Sequence, residues 1–216
     1  MFILLMRLLE LFSGTGSVGN VAKNMGFEII SLDMDMEATI KIDIMKWDYT
    51  IYPRKHFDVI WASPPCTEYS RAKTIGVRKI EEANMVVQQT LFILEYFEPR
   101  FWLIENPQTG LLKDQLCMYG LPWKDIDYCK YGMPYRKRTR IWNNVFRWEP
   151  RPLCIRDCNS MDSTGKSHIE TAQRGPNLKA GSLDNNRHMQ SELYRIPEEL
   201  VQELFSAIVQ GLVENI

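Results

Sequence analysis

The stretch "RLLELFSGTGSVG", residues 7–19, decides how the first part of the chain folds. Its apolar start predicts a buried strand over residues 7–12, and the apolar spacing that follows predicts a helix. Between them Gly14 and Gly16 allow the backbone to approach a ligand, and Gly19 completes a G-x-G-x-x-G spacing. A plain tight turn would carry the same glycines, so the motif becomes informative only together with others.

The chain continues in the same alternation of apolar runs and helical patterns. Further strands are predicted at 28–34, 40–44, 57–63 and 101–106, a helix at 79–97, and a hairpin from "DIDYCKYG" and "RTRIWNN". This order predicts an α/β fold: a mostly parallel sheet with helices on both faces and a terminal hairpin.

Composition divides the 216 residues into three parts. We expect a catalytic, cofactor-binding domain over 1–148, a loop-rich lid or reduced target-recognition segment over 149–188, and a C-terminal helix over 189–216 that packs back on the first part. Within the loop-rich part, Arg187 and His188 could reach a substrate, although a solvated loop is the simpler interpretation.

Charge and cysteine usage exclude some classes of protein. The net charge of −1 shows no overall polycation, so any nucleic-acid surface must be local. Five cysteines are an odd number and suit a reducing compartment, either the cytoplasm or, for a eukaryotic or viral protein, the nucleus. No apolar run is long enough for a membrane span, and the N-terminal run is typical of a buried strand rather than a signal peptide.

Acidic residues at strand ends favour a nucleoside-bearing cofactor. Asp33 closes the second strand about 20 residues after the glycine turn, where a carboxylate accepts hydrogen bonds from ribose hydroxyls. Asp43 follows the third segment and could accept a hydrogen bond from the exocyclic amine of adenine.

Two further strand ends carry reactive side chains. Cys66 follows Pro64 and Pro65, which restrict the backbone and would hold a nucleophile in place. Glu105 ends the next buried strand, where a carboxylate is costly without a task. Strand ends meet on one rim, so both could contact one substrate; Cys66 as a buried small side chain and Glu105 as a helix cap are the alternatives.

A local basic cluster lies near the end of the sheet. The stretch "YGMPYRKRTRIW" places Arg136, Lys137, Arg138 and Arg140 among aromatic residues. Such a mixture can clamp phosphates and stack on bases, whereas a solvated basic turn is the alternative for Arg136 and Lys137.

In this order, F-x-G-x-G, a strand-end acid, P-P-C, E-N and R-x-R make the chain resemble the cytosine-C5 DNA methyltransferase family over roughly residues 7–145 and the last helix. The resemblance implies a Rossmann-like fold that uses S-adenosylmethionine. The cofactor would be bound by Phe12, Ser13, Gly14, Thr15, Gly16, Ser17, Asp33, Met34, Asp43, Ile44 and Pro64. The catalytic residues would be Cys66 as nucleophile, Glu105 on the cytosine edge, and Arg138 and Arg140 on the phosphates and the cytosine O2.

The arginine motif allows two registers. Anchoring on "RIW" selects Arg138 and Arg140, which we prefer because both positions then carry guanidinium groups; anchoring on Pro134 selects Lys137 and Thr139. The chain also departs from the family at Ser63, where a glycine is usual, and at Tyr135, where a glutamine is usual. Few residues follow the arginine motif, so the chain resembles the compact phage and viral type, to which a separate partner could supply target recognition.

The resemblance implies a DNA (cytosine-5)-methyltransferase. A transfer-RNA cytosine-C5 methyltransferase and a catalytically idle cofactor-binding module are the alternatives.

Zinc is a separate possibility. Cys154, Cys158 and His168 could bind it, but the local sequence offers no fourth ligand, so the sequence predicts no metal.

Overall fold

The computed structural model describes residues 5–172 and 190–213. Its strands are β1 (Arg7–Leu11), β2 (Glu28–Asp33), β3 (Ile40–Lys41), β4 (Val59–Ala62), β5 (Phe101–Pro107), β6 (Trp123–Asp127) and β7 (Arg138–Asn143). Its α-helices are α1 (Ser17–Asn24), α2 (Ile80–Phe97), α3 (Gln190–Leu193) and α4 (Glu198–Val213). Short 3₁₀ turns, among them Ile44–Lys46 and Tyr128–Tyr131, lie in the connections.

The strands form one seven-stranded sheet in the order β3-β2-β1-β4-β5-β7-β6. Neighbours from β3 to β5 are parallel, whereas β7 runs antiparallel to both β5 and β6. The expected α/β fold with a terminal hairpin is therefore confirmed. The third predicted segment is shorter than expected, because Asp43 caps a 3₁₀ turn and so ends the extended backbone.

Two apolar layers cover the two faces of the sheet. On one face α1 packs against α4, and Phe27 and Phe205 meet edge to face with ring centroids 5.1 Å apart. On the other face α2 lies over the central strands and buries Val87, Ile93 and Phe97. The strands are consequently buried on both sides, which explains their continuous apolar runs.

Residues 149–172 pack against the end of the hairpin. The Tyr131 hydroxyl accepts the Arg151 backbone N–H at 2.9 Å, and the Ser160 hydroxyl donates to the Met133 carbonyl at 2.7 Å. Residues 173–188, with Arg187 and His188, lie outside the described residues, so a lid over 149–188 stays a prediction. Among the described residues, no helix is both long and apolar enough to cross a bilayer.

A buried carboxyl supports the start of α1. Glu10 is 3% exposed on β1, and its Oε2 accepts the Gly19 backbone N–H at 3.0 Å. A Cβ on Gly19 would lie 2.5 Å from that oxygen, so any larger residue would have to displace the Glu10 carboxyl. Burial raises the pKa of Glu10 from 4.5 to about 7, although the backbone N–H groups of Gly19 and Val18 oppose that rise.

This carboxyl makes stability depend on pH. Between about pH 4.5 and 7 the folded protein holds a proton on Glu10 that the unfolded chain releases, so the free energy of unfolding falls as pH rises through this window. The loss is on the order of 3 kcal/mol. Glu10→Gln should flatten this part of a urea-unfolding profile, because glutamine does not titrate. The exposed Glu37→Gln is the control, and an unchanged slope in Glu10→Gln would contradict the assignment.

Candidate active site

The glycine turn is held by the acid at the end of β2. Asp33 accepts the Gly14 backbone N–H at 2.8 Å on one oxygen and the Asp35 N–H at 2.9 Å on the other. Gly14 and Gly16 have φ values of 52° and 68°, which glycine adopts without strain. The turn and the second strand end therefore form one connected rim.

Two hydroxyls in this turn have no partner among the described residues. Ser13 Oγ and Thr15 Oγ1 are buried there without a hydrogen bond. Buried polar atoms are normally paired, so this turn suits a ligand with polar groups. Ser17 differs, because its hydroxyl accepts the Ile196 backbone N–H at 3.1 Å and ties the turn to the segment before α4.

The other predicted cofactor residues surround the same turn. Phe12 follows β1 and has a φ of 59°. Met34 follows β2 and is 57% exposed, so it can cover a flat ring. Asp43 Oδ1 accepts the Met45 backbone N–H at 2.9 Å. The Ile44 side chain is buried in the core, so only its backbone could face an adenine edge.

The proline turn after β4 is fixed to the end of β5. The buried Asn106 amide donates to the Pro64 carbonyl at 2.8 Å, and the Leu111 N–H donates to the Tyr69 carbonyl at 2.9 Å. The buried Trp61 indole N–H donates to the Ser63 hydroxyl at 2.9 Å. That bond gives Ser63 a task that glycine could not perform.

Cys66 and Glu105 lie on the same rim. The parallel pairing of β4 with β5 sets Ala62 beside Ile104, one residue before Glu105. Glu105 is 6% exposed, and its Oε1 accepts the Tyr128 hydroxyl at 3.0 Å. Lys137 Nζ lies 3.8 Å from the same oxygen and 4.8 Å from the centre of the Tyr128 ring.

Burial and two nearby charged side chains act on the pKa of the Cys66 thiol. Burial raises its pKa above the ordinary value, the Lys137 ammonium lowers it, and the Glu105 carboxylate raises it. Both charged side chains therefore act electrostatically on the sulfur. Burial also raises the pKa of Tyr128 well above its usual range, with Glu105 adding to the rise, so Tyr128 remains a hydrogen-bond donor.

The strand pairing places the two registers of the arginine motif on opposite faces of β7. Glu105 pairs directly with Ile141 across β5 and β7, so alternate residues on the same face of the chain are Thr139 and Lys137. Arg138 and Arg140 point to the other face. There Arg138 forms two hydrogen bonds to Asp127, of 3.0 and 2.7 Å, and Arg140 two to Asp125, of 2.7 and 2.9 Å.

Thr139 and Lys137 differ in access. Thr139 is fully buried, and its hydroxyl lies 3.4 Å from the Lys137 carbonyl, so its side chain is used within the strand. Lys137 is partly exposed and also donates to the Leu193 carbonyl at 3.0 Å. The only basic side chain that the described structure sets beside Glu105 is therefore Lys137.

Sequence reasoning weighed Lys137 but preferred the arginines, and it missed Tyr128. A signal for the register is present in the sequence. Asp125 and Asp127 are two residues apart, as are Arg138 and Arg140, and this spacing allows two cross-strand ion pairs that occupy both arginines.

The sheet order, with the seventh strand antiparallel beside the fifth, and the ligand rim at the strand ends define a Rossmann-like methyltransferase fold. A protein of Frog virus 3 (isolate Goorha) described as "Probable DNA (cytosine-5)-methyltransferase" is 30% identical over 220 aligned residues, covering 92% of this chain and 98% of that one. The chain therefore belongs to the DNA (cytosine-5)-methyltransferase family. No family model matches the sequence.

Solved structures share the fold at lower identity. A candidate DNA modification methyltransferase from an E. coli prophage has a TM-score of 0.51 at 17% identity, and S. pombe Dnmt2 has 0.50 at 17%. The alignments cover 69% and 72% of this chain. They span only 52% and 59% of those longer chains, which supports the fold alone.

The electrostatics of the rim yield a measurable prediction. Lys137→Met should raise the pKa of Cys66 further, because it removes the charge that stabilises the thiolate. Alkylation at Cys66 by iodoacetamide, followed by peptide mass spectrometry, should then slow by about threefold to tenfold near neutral pH. The control is Lys41→Met, at the far edge of the sheet. If the pH dependence of Cys66 alkylation is unchanged in Lys137→Met, or shifts to lower pH, the proposed effect of Lys137 on the thiol is contradicted.

Proposed function

We propose that this chain transfers a methyl group from S-adenosylmethionine to C5 of cytosine in DNA. The observation that carries the proposal is that Cys66 follows β4 while Glu105 lies near the end of the neighbouring parallel strand β5, with Lys137 Nζ 3.8 Å from Glu105 Oε1. The rim of these strand ends continues into a glycine turn with two unpaired buried hydroxyls. Membership of the DNA (cytosine-5)-methyltransferase family supports cytosine as the base and DNA as its carrier.

The turn fits the proposed cofactor in its donor set. Ser13 and Thr15 supply the unpaired hydroxyls. Asp33 Oδ1 already accepts the backbone N–H groups of Asp35 and Met36, whereas Oδ2 accepts only that of Gly14 and can accept a further hydrogen bond from a ribose hydroxyl. Asp43 and the Ile44 backbone would face the adenine edge, Met34 would cover its ring, and Pro64 would border the reacting end. S-adenosylmethionine supplies an electrophilic methyl group on its sulfonium.

Cys66 would begin the reaction. Its thiolate Sγ forms a bond to cytosine C6, a proton arrives at N3, and C5 becomes nucleophilic enough to accept the methyl group. The C5 proton then passes to water, its electron pair re-forms the C5=C6 double bond as the C6–Sγ bond breaks to release the Cys66 thiolate, and N3 gives back its proton. Since burial raises the pKa of this thiol, the ammonium of Lys137 is the local charge that makes the thiolate accessible.

Glu105 and Lys137 would hold the base. Among the described residues, Tyr128 and Lys137 both contact Glu105 at Oε1, which leaves Oε2 to bind the N3 and amino edge of cytosine. Lys137 could donate to the cytosine O2 or to a neighbouring phosphate as charge develops. In duplex DNA the base must leave the stack, at a cost of about a few kcal/mol.

The nucleophile assignment is tested by Cys66→Ser. Methyl transfer to DNA, measured with a tritiated methyl group, should be lost while equilibrium dialysis shows unchanged S-adenosylmethionine binding. The matched control Cys117→Ser alters another partly buried thiol and should retain activity. A covalent adduct with a 5-fluorocytosine oligonucleotide should form in the control alone. Full activity of Cys66→Ser refutes the mechanism, and absence of any adduct in the unmodified protein favours an idle module.

The register is tested by a second pair of variants. Lys137→Gln should lower kcat/KM by about a hundredfold with little change in the urea midpoint, because it removes a donor from the reacting base. Arg140→Gln should lower the midpoint, because Asp125 loses both of its guanidinium bonds, while the folded protein keeps its kcat. If Arg140→Gln instead loses kcat at an unchanged midpoint, the arginine register is restored.

The nucleic-acid class is decided by comparing substrates. Duplex DNA, single-stranded DNA and transfer RNA should be methylated under one condition, with DNA preferred. If transfer RNA is the preferred substrate, the proposed substrate changes from DNA to RNA, and the proposed mechanism of methyl transfer stands. A separate target-recognition partner and a cytoplasmic or nuclear location remain predictions.

A further inference from the structure

Four potential metal ligands converge beside the hairpin, and none of them belongs to the cytosine rim formed by Cys66, Glu105 and Lys137. Cys129, Cys154, Cys158 and His168 each direct one ligand atom into a common space, with all four atoms within 4.8 Å of one another. All three cysteines are free thiols. The structure thus supplies in Cys129 the fourth ligand that the local sequence lacks.

We propose that these four side chains bind one structural zinc ion as a Cys₃His site. Structural zinc is held by four tetrahedral ligands, with Zn–S near ~2.3 Å and Zn–N near ~2.0 Å, so sulfur and nitrogen should lie about 3.5 Å apart. Cys154 Sγ and His168 Nε2 are separated by 3.6 Å. This sulfur–nitrogen distance therefore suits a metal between Cys154 and His168.

The ligands come from segments that other contacts already hold together. Cys129 lies in the 3₁₀ turn after β6, whereas Cys154 and Cys158 lie in one loop. Lys130 and Asp157, each beside one of these cysteines, form an ion pair of 2.7 Å. His168 pairs with Met161 in an isolated bridge. The ligand geometry thus has support independent of any metal.

The surroundings of the sulfurs are also those of a thiolate site. The Arg156 backbone N–H donates to Cys154 Sγ at 3.4 Å, and Arg156 adopts φ of 71°, which turns the loop around that sulfur. The Cys154 backbone N–H donates to Asp127 Oδ2 at 3.0 Å. Because Asp127 also binds Arg138, this loop is anchored to the hairpin.

With four protein ligands no position remains for substrate, so the site would be structural rather than catalytic. It would join the segment after Trp148 to the turn that begins with Tyr128. Since Tyr128 donates to Glu105, the metal would also position the cytosine rim. The zinc proposal is nevertheless independent of the reaction assigned to that rim.

The first test is metal content of the full chain. Protein purified from zinc-supplemented medium and freed of loose metal should contain about one zinc per chain by mass spectrometry. Cobalt exchanged into the site should give the visible bands of tetrahedral coordination with thiolate charge transfer. Metal-free protein that takes up no cobalt overturns the proposal, as does a disulfide between any two of the three cysteines in protein kept under reducing conditions.

Variants then locate the metal. Cys129→Ser and Cys158→Ser should lose the zinc, Cys117→Ser should keep it, and His168→Cys should keep it with stronger thiolate–cobalt charge transfer. Circular dichroism identifies any variant that fails to fold. If the serine variants do not fold, the comparison of the cobalt spectra of wild type and His168→Cys decides whether the metal lies at this site. Zinc retained in folded Cys129→Ser and Cys158→Ser, or lost equally in Cys117→Ser, would show that the metal lies elsewhere.

Discussion

The hydrogen bond from the Asn106 amide to the Pro64 carbonyl is the constraint on which the rim depends. Parallel strands bring their carboxyl ends to one edge, but the turns that leave those ends are free to diverge. Two prolines remove much of that freedom, and the buried Asn106 removes more by fixing the turn to β5. Cys66 and Glu105 are thus held by backbone and core rather than by each other. A thiol and a carboxyl need such support, because their mutual electrostatic effect opposes ionisation of the sulfur.

The basic side chains on the two faces of β7 have different partners. On one face Arg138 and Arg140 are neutralised by Asp127 and Asp125 in paired hydrogen bonds, which makes the hairpin rigid. On the other face a single ammonium, that of Lys137, meets Glu105 at the longer distance of 3.8 Å. An ammonium that is beyond hydrogen-bond distance of its carboxylate can turn to an incoming base without breaking a bond to that carboxylate, whereas an arginine in a bidentate pair would first have to break the pair. The geometry thus explains how lysine can serve a position for which sequence reasoning preferred arginine.

Sequence reasoning succeeded where one local pattern determines the result. Hydrophobic periodicity and turn residues predict the strand, glycine turn and helix of residues 7–24. They also predict the strands near whose ends Asp33, Cys66 and Glu105 lie. It failed where the outcome depends on partners distant in sequence. A slip of one residue in β7 exchanges its two faces, and both registers offer a cation, so the pairing of β7 with β5 and β6 decides which cation lies on the side of Glu105. Cys129 was missed for the same reason, because nothing in its own sequence neighbourhood connects it with Cys154.

The cysteine cluster and the cytosine rim share one short turn, and this links the two proposed sites. Tyr128 and Cys129 are neighbours, yet one side chain reaches Glu105 while the other turns to Cys154. The loop with Cys154 has no helix or strand of its own among the described residues, so it can hold the turn only through a few bonds such as that to Asp127. A metal at the cluster would replace those weak restraints with strong ones at the point where Tyr128 departs. The position of the Tyr128 hydroxyl, and through it the orientation of Glu105, would then depend on chemistry outside the rim.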